Sequence, residues 1–395
     1  MPHSNHHADV IIIGCGLVGM TMALTLSKQG LTSIITDKYP KPAPTIENDT
    51  DGRSYAIALG SVKTLQEAGL WDAIQDQVSP ILDIRVSDQH SSMKLHYHHK
   101  DVGDAPMGYM VGTNFLNYHA LNAIHKDANI TINAPATIES LDVEQGHITF
   151  DNHETQSAPL IIVADGKHSA TRELIGIKTL THHYHQSGIV CTIAHEKHHH
   201  DTAQERFLAP GPFAILPLKG GYHSSLVWTE HERLAPIFCS MDQKECEDHI
   251  FARTTGYLGK INIASKRYHY PLTLKHAQTY TKGRCVLIGD AAHGIHPLAG
   301  QGFNLGLRDI QALAPYITNQ HLVGLDIGCK SILEQYNQCR KYDSWSLIGI
   351  THGLNQLFTS SHPTATKARR IGANILNNLP FIKKRLIKHA MGITG

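Results

Sequence analysis

The sequence predicts an α/β protein: a mostly parallel sheet with helices around it, an inserted mostly antiparallel sheet, and a helical C-terminal tail. Three observations predict this. A β-branched run, Val10–Ile13, leads straight into Gly14-Cys15-Gly16-Leu17-Val18-Gly19. A second apolar run, residues 286–288, ends in Gly289-Asp290 far along the chain. Between residues 181 and 280 the pattern changes to alternating, β-rich segments such as 187–193, 213–218 and 223–228. Continuous apolar runs suit parallel strands buried on both faces; alternation suits antiparallel strands with one exposed face.

The N-terminal order is strand, tight turn, helix, strand, acid. Residues 20–28 are rich in helix formers, and Gly30 is suited to end that helix. Ser33–Thr36 makes a second strand that ends at Asp37. Gly14 permits the turn, Gly16 lets a pyrophosphate approach the backbone, and Gly19 lets helix pack on strand. The helix N-terminus offers free N–H groups and a positive dipole end to phosphates. Asp37 lies where an acid binds ribose hydroxyls.

In the middle, Asp51-Gly52-Arg53 precedes an amphipathic helix that runs through Leu65. Arg53 is either a surface cation or a pyrophosphate contact. Leu160–Val163 is a buried strand that ends in Asp165-Gly166 and continues to Arg172. Asp-Gly is a turn signal, and the carboxyl ends of parallel strands are where such sheets place ligands.

At the second glycine motif, Asp290 can accept hydrogen bonds from sugar-like hydroxyls. A helix begins near Gly302, after the small-residue loop Leu298-Ala299-Gly300-Gln301. Its N-terminus can stabilise negative charge on a reduced flavin, and the glycines let a flat ring lie against backbone. One glycine fingerprint is weak evidence. Two, at opposite ends of the chain, point to one long cofactor gripped at both ends, as FAD is, in a Rossmann-like FAD-binding domain.

The 395 residues allow two or three domains at ~150 residues each. Hydrophobic residues at 41%, charged residues at 17% and a net charge of +1 describe an ordinary globular protein with no charge excess for nucleic acid. The seven cysteines are scattered, which fits a reducing, cytoplasmic setting and argues against a disulfide framework or zinc site. No metal site is expected. His198-His199-His200 reads as a solvated loop, since no second ligand cluster accompanies it. No signal-peptide core and no span of ~18 apolar residues is visible.

After Asp343 the chain has no acidic residue. Lys367, Arg369, Arg370, Lys383, Lys384, Arg385 and Lys388 interleave with apolar residues such as Ile371, Ile375, Leu376, Phe381 and Ile387. Such a tail either lies on the inner face of an anionic membrane or packs on the body with a solvated basic face.

With these motifs in hand, the chain resembles the flavin-dependent aromatic hydroxylases typified by para-hydroxybenzoate hydroxylase. More closely, it resembles the ubiquinone-biosynthesis hydroxylases that act on 2-polyprenylphenol and 2-polyprenyl-6-methoxyphenol. The resemblance runs from about Asp9 to about Leu325. It is most specific at Asp51 to Leu59, Gly211-Pro212-Phe213-Ala214-Ile215-Leu216-Pro217-Leu218, Ser225-Leu226-Val227-Trp228, Tyr270-Pro271-Leu272 and Gly289 to Asp309.

The resemblance implies FAD as cofactor, NAD(P)H or an electron-transfer partner as donor, O2, and a polyprenylated phenol hydroxylated through a flavin C4a-hydroperoxide. It also implies a ubiquinone-biosynthesis complex as partner. Gly14, Gly16 and Gly19 would hold the pyrophosphate, Asp37 the ribose, and Arg53 the FAD. Asp165 would lie where FAD and donor meet. Gly289 and Asp290 would bind the ribityl chain, and Pro297, Ala299, Gly300, Gln301, Gly302 and Asn304 would line the ring. His293, His296 and Tyr270 are, by position only, the candidates for assisting phenol deprotonation, and His293 and His296 read equally well as structural histidines near the loop.

The implied domains are residues 8–80, 108–180 and 276–325 for FAD, 81–107 and 181–275 for substrate, and 326–395 as a helical C-terminal region. One departure is Val111-Gly112-Thr113-Asn114, where many members carry Glu-Asn-Arg. Asn114 lacks the charge of an arginine, so more of the FAD contact falls to Arg53. Two other readings stay open on sequence: an FAD oxidoreductase of the same fold with different chemistry, such as an isoprenoid reductase or a halogenase, and a non-catalytic flavoprotein scaffold.

Overall fold

The computed structural model describes residues 6–41, 52–89, 94–294, 301–359 and 379–393. Its centre is a six-stranded sheet in the order Thr281–Lys282, Cys285–Leu287, Leu160–Val163, Val10–Ile13, Ser33–Thr36, Ile130–Asn133. All pairings are parallel except that of the edge strand Thr281–Lys282. Every residue of the four strands from Cys285–Leu287 to Ser33–Thr36 is buried. Helices on both faces require this, which is why these strands read as unbroken apolar runs.

The helix Leu17–Ser27 is buried along almost its whole length. It is wedged between the sheet and the helices Thr113–Lys126 and Gln301–Leu322. Its small and uncharged sequence suits contact on all sides. Thr21 and Thr25 turn their hydroxyls back to the carbonyls of Leu17 and Thr21, so the buried hydroxyls stay satisfied.

The second large sheet has nine strands. Eight lie in the order His293–Gly294, Tyr268–Ala277, Thr179–His195, His223–His231, Gly211–Pro217, Thr202–Leu208, Asp83–Asp88, Lys94–His98, and Ile261–Ile263 pairs with Thr179–His195. It is antiparallel except where Thr202–Leu208 meets Asp83–Asp88. One face is closed by helices Ala235–Ser240 and Gln243–Thr254, with Phe213, Trp228, Phe238 and Ile250 in the shared core. The other face packs through Ala203 against Ile81, Met107, Met110 and Ile387, and through Leu274 against Leu305 of the helix Gln301–Leu322.

Two smaller sheets are not visible in the apolar pattern. Ser54–Ala58, Gly108–Gly112 and Ser79–Ile81 form one, and His6–His7, Thr155–Ser157, His147–Phe150 and Ile138–Asp142 the other. Residues 52–58 lead into the helix Leu59–Glu67 as the sequence suggests, yet most of that lead is a strand. Its pairing comes from distant backbone, which a local pattern does not encode.

The tail is folded onto the body where it is described. Helix Pro380–Ala390 buries Ile387, and Met391 just beyond it, against Ile81, Met107, Met110 and Ala203. The Gly60 amide donates to the Met391 carbonyl at 2.7 Å, and Lys383 donates to Asp101 at 2.9 Å. Ile387 therefore belongs to the core and is not available to a bilayer. Phe381, Lys384, Arg385 and Lys388 remain exposed. Among the described residues no helix is long and apolar enough to cross a membrane.

His199 also corrects the sequence expectation of a solvated loop. It is buried: Nε2 donates to the Leu218 carbonyl at 2.7 Å, and Nδ1 accepts the Asp201 amide at 2.9 Å. Burial lowers its pKa. Among the described residues no group of three His, Cys, Asp or Glu side chains is placed to hold a metal ion.

Candidate functional site

The turn after Val10–Ile13 is shaped for glycine. Gly14 has φ +110°, and a Cβ there would lie 2.4 Å from the Ala164 carbonyl oxygen. A Cβ at Gly19 would lie 2.1 Å from the Gly14 oxygen, so helix and turn are in contact. At Gly16 a Cβ would meet no atom within 4 Å, and this residue caps the helix without a side-chain hydrogen bond. The first-turn amides are left open toward that side, as an anion requires.

Asp37 stands beside the turn. Its Oδ2 accepts the Cys15 amide and its Oδ1 the Tyr39 amide, both at 2.8 Å, which fixes the carboxylate and leaves further lone pairs. Burial pushes the Cys15 thiol up to about 11, so it is not a nucleophile. Arg53 is exposed, and its carbonyl accepts the Thr113 amide at 3.0 Å.

The Asp165 turn meets the same place from the next strand. Asp165 Oδ2 accepts the Thr171 amide at 3.1 Å, while Oδ1 is buried with no partner among the described residues. A buried carboxylate oxygen without a donor is a position for a ligand hydroxyl or amide. Arg172, buried at 1% exposure, donates to the Lys167 and Ala291 carbonyls and so ties the Asp165 turn to the Asp290 turn. The sequence names Arg172 only as part of a run; its spacing from Asp165 was the available signal.

Asp290 is accessible to solvent yet ringed by protein, so it borders a crevice. Desolvation raises its carboxyl, against the pull of His293 and Lys167. Beneath it lies a fully buried network around Asp309. Asp309 Oδ2 accepts the Gly289 amide and His293 Nε2–H, each at 2.7 Å. Oδ1 accepts Arg340 Nε–H at 2.7 Å, and Arg340 also pairs with Asp343. Burial works against the Asp309 charge, but His293 and Arg340 outweigh it and hold the carboxyl below its usual range.

His293 is 0% exposed, and its Nε2 is engaged by Asp309. That placement suits the structural of its two sequence readings, a support for the Gly289-Asp290 turn, while its Nδ1 is buried with no partner among the described residues. Asn304 is held in place by backbone. Its Oδ1 accepts the Ala58 amide and its Nδ2 donates to the Ala56 carbonyl, both at 2.8 Å. A buried amide needs partners at both ends, and here the strand Ser54–Ala58 supplies them. Gln301 and Gly302 open the helix Gln301–Leu322, and the flank of Gly302 is uncovered. Tyr270 is part-exposed on the large sheet, beside Gly188. His296, Pro297, Ala299 and Gly300 lie outside the described residues.

The two glycine motifs meet in space. Val18 of the first packs against Gly289 and Gly306 of the second. The Gly14 turn, the Asp165 turn and the Gly289-Asp290 turn thus form one continuous site at the carboxyl ends of neighbouring parallel strands. The open helix terminus, the orphaned Asp165 oxygen and the crevice at Asp290 together fit an elongated dinucleotide.

Comparison with known proteins agrees. A family model described as "FAD binding domain" matches residues 7–349. Ubiquinone hydroxylase UbiL of Rhodospirillum rubrum is 38% identical over 98% of this chain and 90% of its own length. The 3-demethoxyubiquinol 3-hydroxylase of Escherichia coli is 27% identical over 99% of this chain and 100% of its own. Among solved structures, p-nitrophenol 4-monooxygenase PnpA of Pseudomonas putida superposes with a TM-score of 0.79 at 17% identity, covering 99% of each chain. Fold and site define a flavoprotein with the architecture of the flavin-dependent monooxygenases. The chain belongs to the FAD-binding-domain family, within its branch of flavin-dependent ubiquinone hydroxylases.

Proposed function

We propose that this FAD-dependent hydroxylase adds an oxygen atom to the aromatic ring of a polyprenylated phenol in ubiquinone biosynthesis, with NAD(P)H as electron donor. The observation that carries the cofactor reading is the meeting of the two glycine motifs around Val18. The substrate class rests on relatives named as ubiquinone hydroxylases over nearly the full chain.

FAD, when reduced in the presence of O2, supplies an electrophilic oxygen atom; the cofactor carries the hard chemistry. The chain's own residues bind and orient it. Gly14, Gly16 and Gly19 place the first helix against the pyrophosphate, with Arg53 as the cation at hand. Asp37 takes the adenosine ribose. Asp165 directs its orphaned oxygen to the cofactor or donor. Asp290, anchored through Gly289 and Asp309, takes the ribityl hydroxyls. The amides at the start of Gln301–Leu322 would stabilise negative charge on the bound cofactor. The large sheet roofs the site and keeps water from the reacting oxygen.

The domain division proposed on sequence gains support from the two large sheets, which occupy its two main parts. Contact with a membrane surface rests on exposed Phe381, Lys384, Arg385 and Lys388. Membership of a biosynthetic complex and a cytoplasmic location remain part of the same proposal.

The test is direct. The purified protein is expected to show a flavin spectrum, release FAD on denaturation, and consume O2 and NADPH when 2-geranylphenol is added, with a hydroxylated product by mass spectrometry. A flavoprotein that binds this phenol but never hydroxylates it would sink the reading.

A further inference from the structure

The cofactor-side face of the large sheet carries a row of residues in register. Leu95 pairs with Val86, Val86 with Glu205, Glu205 with Ala214, Ala214 with Val227, Val227 with Val190, and Val190 with Tyr268. Paired residues share a face of a sheet, so these side chains stand side by side. Glu205 is the one charged residue in that row.

Its neighbours along the strand, Ala203 and Phe207, are buried. Ala203 packs with Met107, Met110, Ile387 and Met391, and Phe207 stacks on Phe358 at 3.8 Å. Tyr97 borders both apolar clusters. Among the described residues, nothing hydrogen-bonds or pairs with the Glu205 carboxylate. It keeps some accessible surface although protein surrounds most of it. Burial pushes this carboxyl up to about 7. An unpaired carboxylate in an apolar wall is costly, and such groups concentrate where a ligand supplies the missing partner.

The wall also reaches the cofactor side. Ala203 shares its cluster with Ala56 and Leu59, and the Ala56 backbone is held by Asn304 near the start of the helix Gln301–Leu322. Ala214, Val227 and Val190 present short side chains along the row, and Leu95, Phe207 and Phe358 pack into an apolar wall beside Glu205.

We infer that Glu205 is the base that accepts the phenol proton of the substrate, an assignment that rests on the hydroxylase reading above. The phenol O–H bond breaks, and the proton passes to a carboxylate oxygen of Glu205. The freed electron pair conjugates into the ring and makes a ring carbon nucleophilic. That carbon bonds to one atom of O2, the other atom leaves as water, and NAD(P)H supplies the two electrons. The hydrogen on the attacked carbon leaves as a proton when the ring regains aromaticity, and Glu205 returns its own proton to the phenol oxygen.

Other titratable groups around this face have different surroundings. Burial, then the Glu205 charge, raises the Tyr97 phenol. Lys383 lies 5.8 Å from the Tyr97 ring and pairs with Asp101. Asp88 lies two residues along the neighbouring strand from Val86, and Tyr268 ends the row. On the long helix Lys330–Thr359, His352 bonds to Tyr184.

The experiment uses FAD-loaded protein, the probe 2-geranylphenol, and the variants Glu205→Gln and Glu205→Asp. Wild-type kcat is expected to fall as pH drops through about 7. Glu205→Gln is expected to lose about 100-fold or more in kcat with KM changed less than about threefold, and to lose that inflection. Glu205→Asp should fall between. In the oxidised protein, the ultraviolet difference spectrum of bound probe should show phenolate absorption in wild type and none in Glu205→Gln.

Equal kcat, an unchanged pH profile, or phenolate absorption in Glu205→Gln overturns the assignment. So does loss of FAD or a lower Tm in Glu205→Gln, which would make the residue structural. If wild type does not hydroxylate the probe, the proposed function fails at that step, and the difference spectrum alone decides the base.

Discussion

On the cofactor side, Asp309 is 0% exposed and receives three hydrogen bonds, from the Gly289 amide, His293 and Arg340. On the sheet side, Glu205 stands among apolar residues with no partner among those described, and its carboxyl is raised where that of Asp309 is lowered. A buried carboxylate surrounded by donors holds a shape. One left without donors stores reactivity until a ligand arrives. The difference separates the part of the molecule that grips a cofactor from the part that performs acid–base work.

The largest expected effect breaks the paired side. Asp309→Ala leaves His293 and the Gly289 amide buried without their partner and Arg340 with Asp343 alone, at a cost of about 3–5 kcal/mol. A much lower Tm and loss of FAD are expected; retention of both would remove the network from the site's foundations. Because the folded carboxyl is depressed, its contribution is present above the ordinary value of about 3.9 and is lost only as pH falls through the lower folded value. The Tm difference between wild type and Asp309→Ala should therefore hold steady from neutral pH down to about 4.

The unpaired side should respond with the opposite sign. The folded carboxyl of Glu205 is raised, so its penalty is absent below the ordinary range and complete above about 7. Glu205→Gln should melt higher than wild type above that pH, by at most about 3 kcal/mol less the screening its accessible surface allows, and converge near pH 4. A gap that is constant with pH would show that Glu205 is not desolvated.

Two glycines sharpen the cofactor side further. Gly14→Ala forces a side chain into φ +110° and into the Ala164 carbonyl, and should cost stability by about 1–3 kcal/mol from strain alone. Gly16→Ala meets no protein atom, so it should keep Tm and weaken FAD binding instead. Equal losses of Tm in a melting comparison would contradict the open helix terminus.

The smallest effect concerns the tail. Lys384→Glu with Arg385→Glu should lower binding to anionic liposomes, at about 1 kcal/mol per cation removed, while FAD content stays constant. Undiminished cosedimentation would confine the exposed basic face to a solvated surface.

Much of the fold could be read locally. Strands buried on both faces must be apolar throughout, so Val10–Ile13, Leu160–Val163 and the run through Val286 announced themselves, as did the glycine turns that follow them. Alternation revealed the large sheet. The sequence by itself determined where the two glycine motifs and their flanking strands and helices lie, because turn glycines, helix starts and strand-end acids are set by short-range backbone geometry.

Only the tertiary structure decided what those residues touch. It joined the grips around Val18, gave the Asn304 amide to a strand and His293 to Asp309, and docked the tail through Ile387. It also set Glu205 opposite Val86, on a strand distant in sequence. The physical reason is that a polar side chain's role follows from which donors and which apolar atoms surround it, and folding brings those from segments that no local pattern connects.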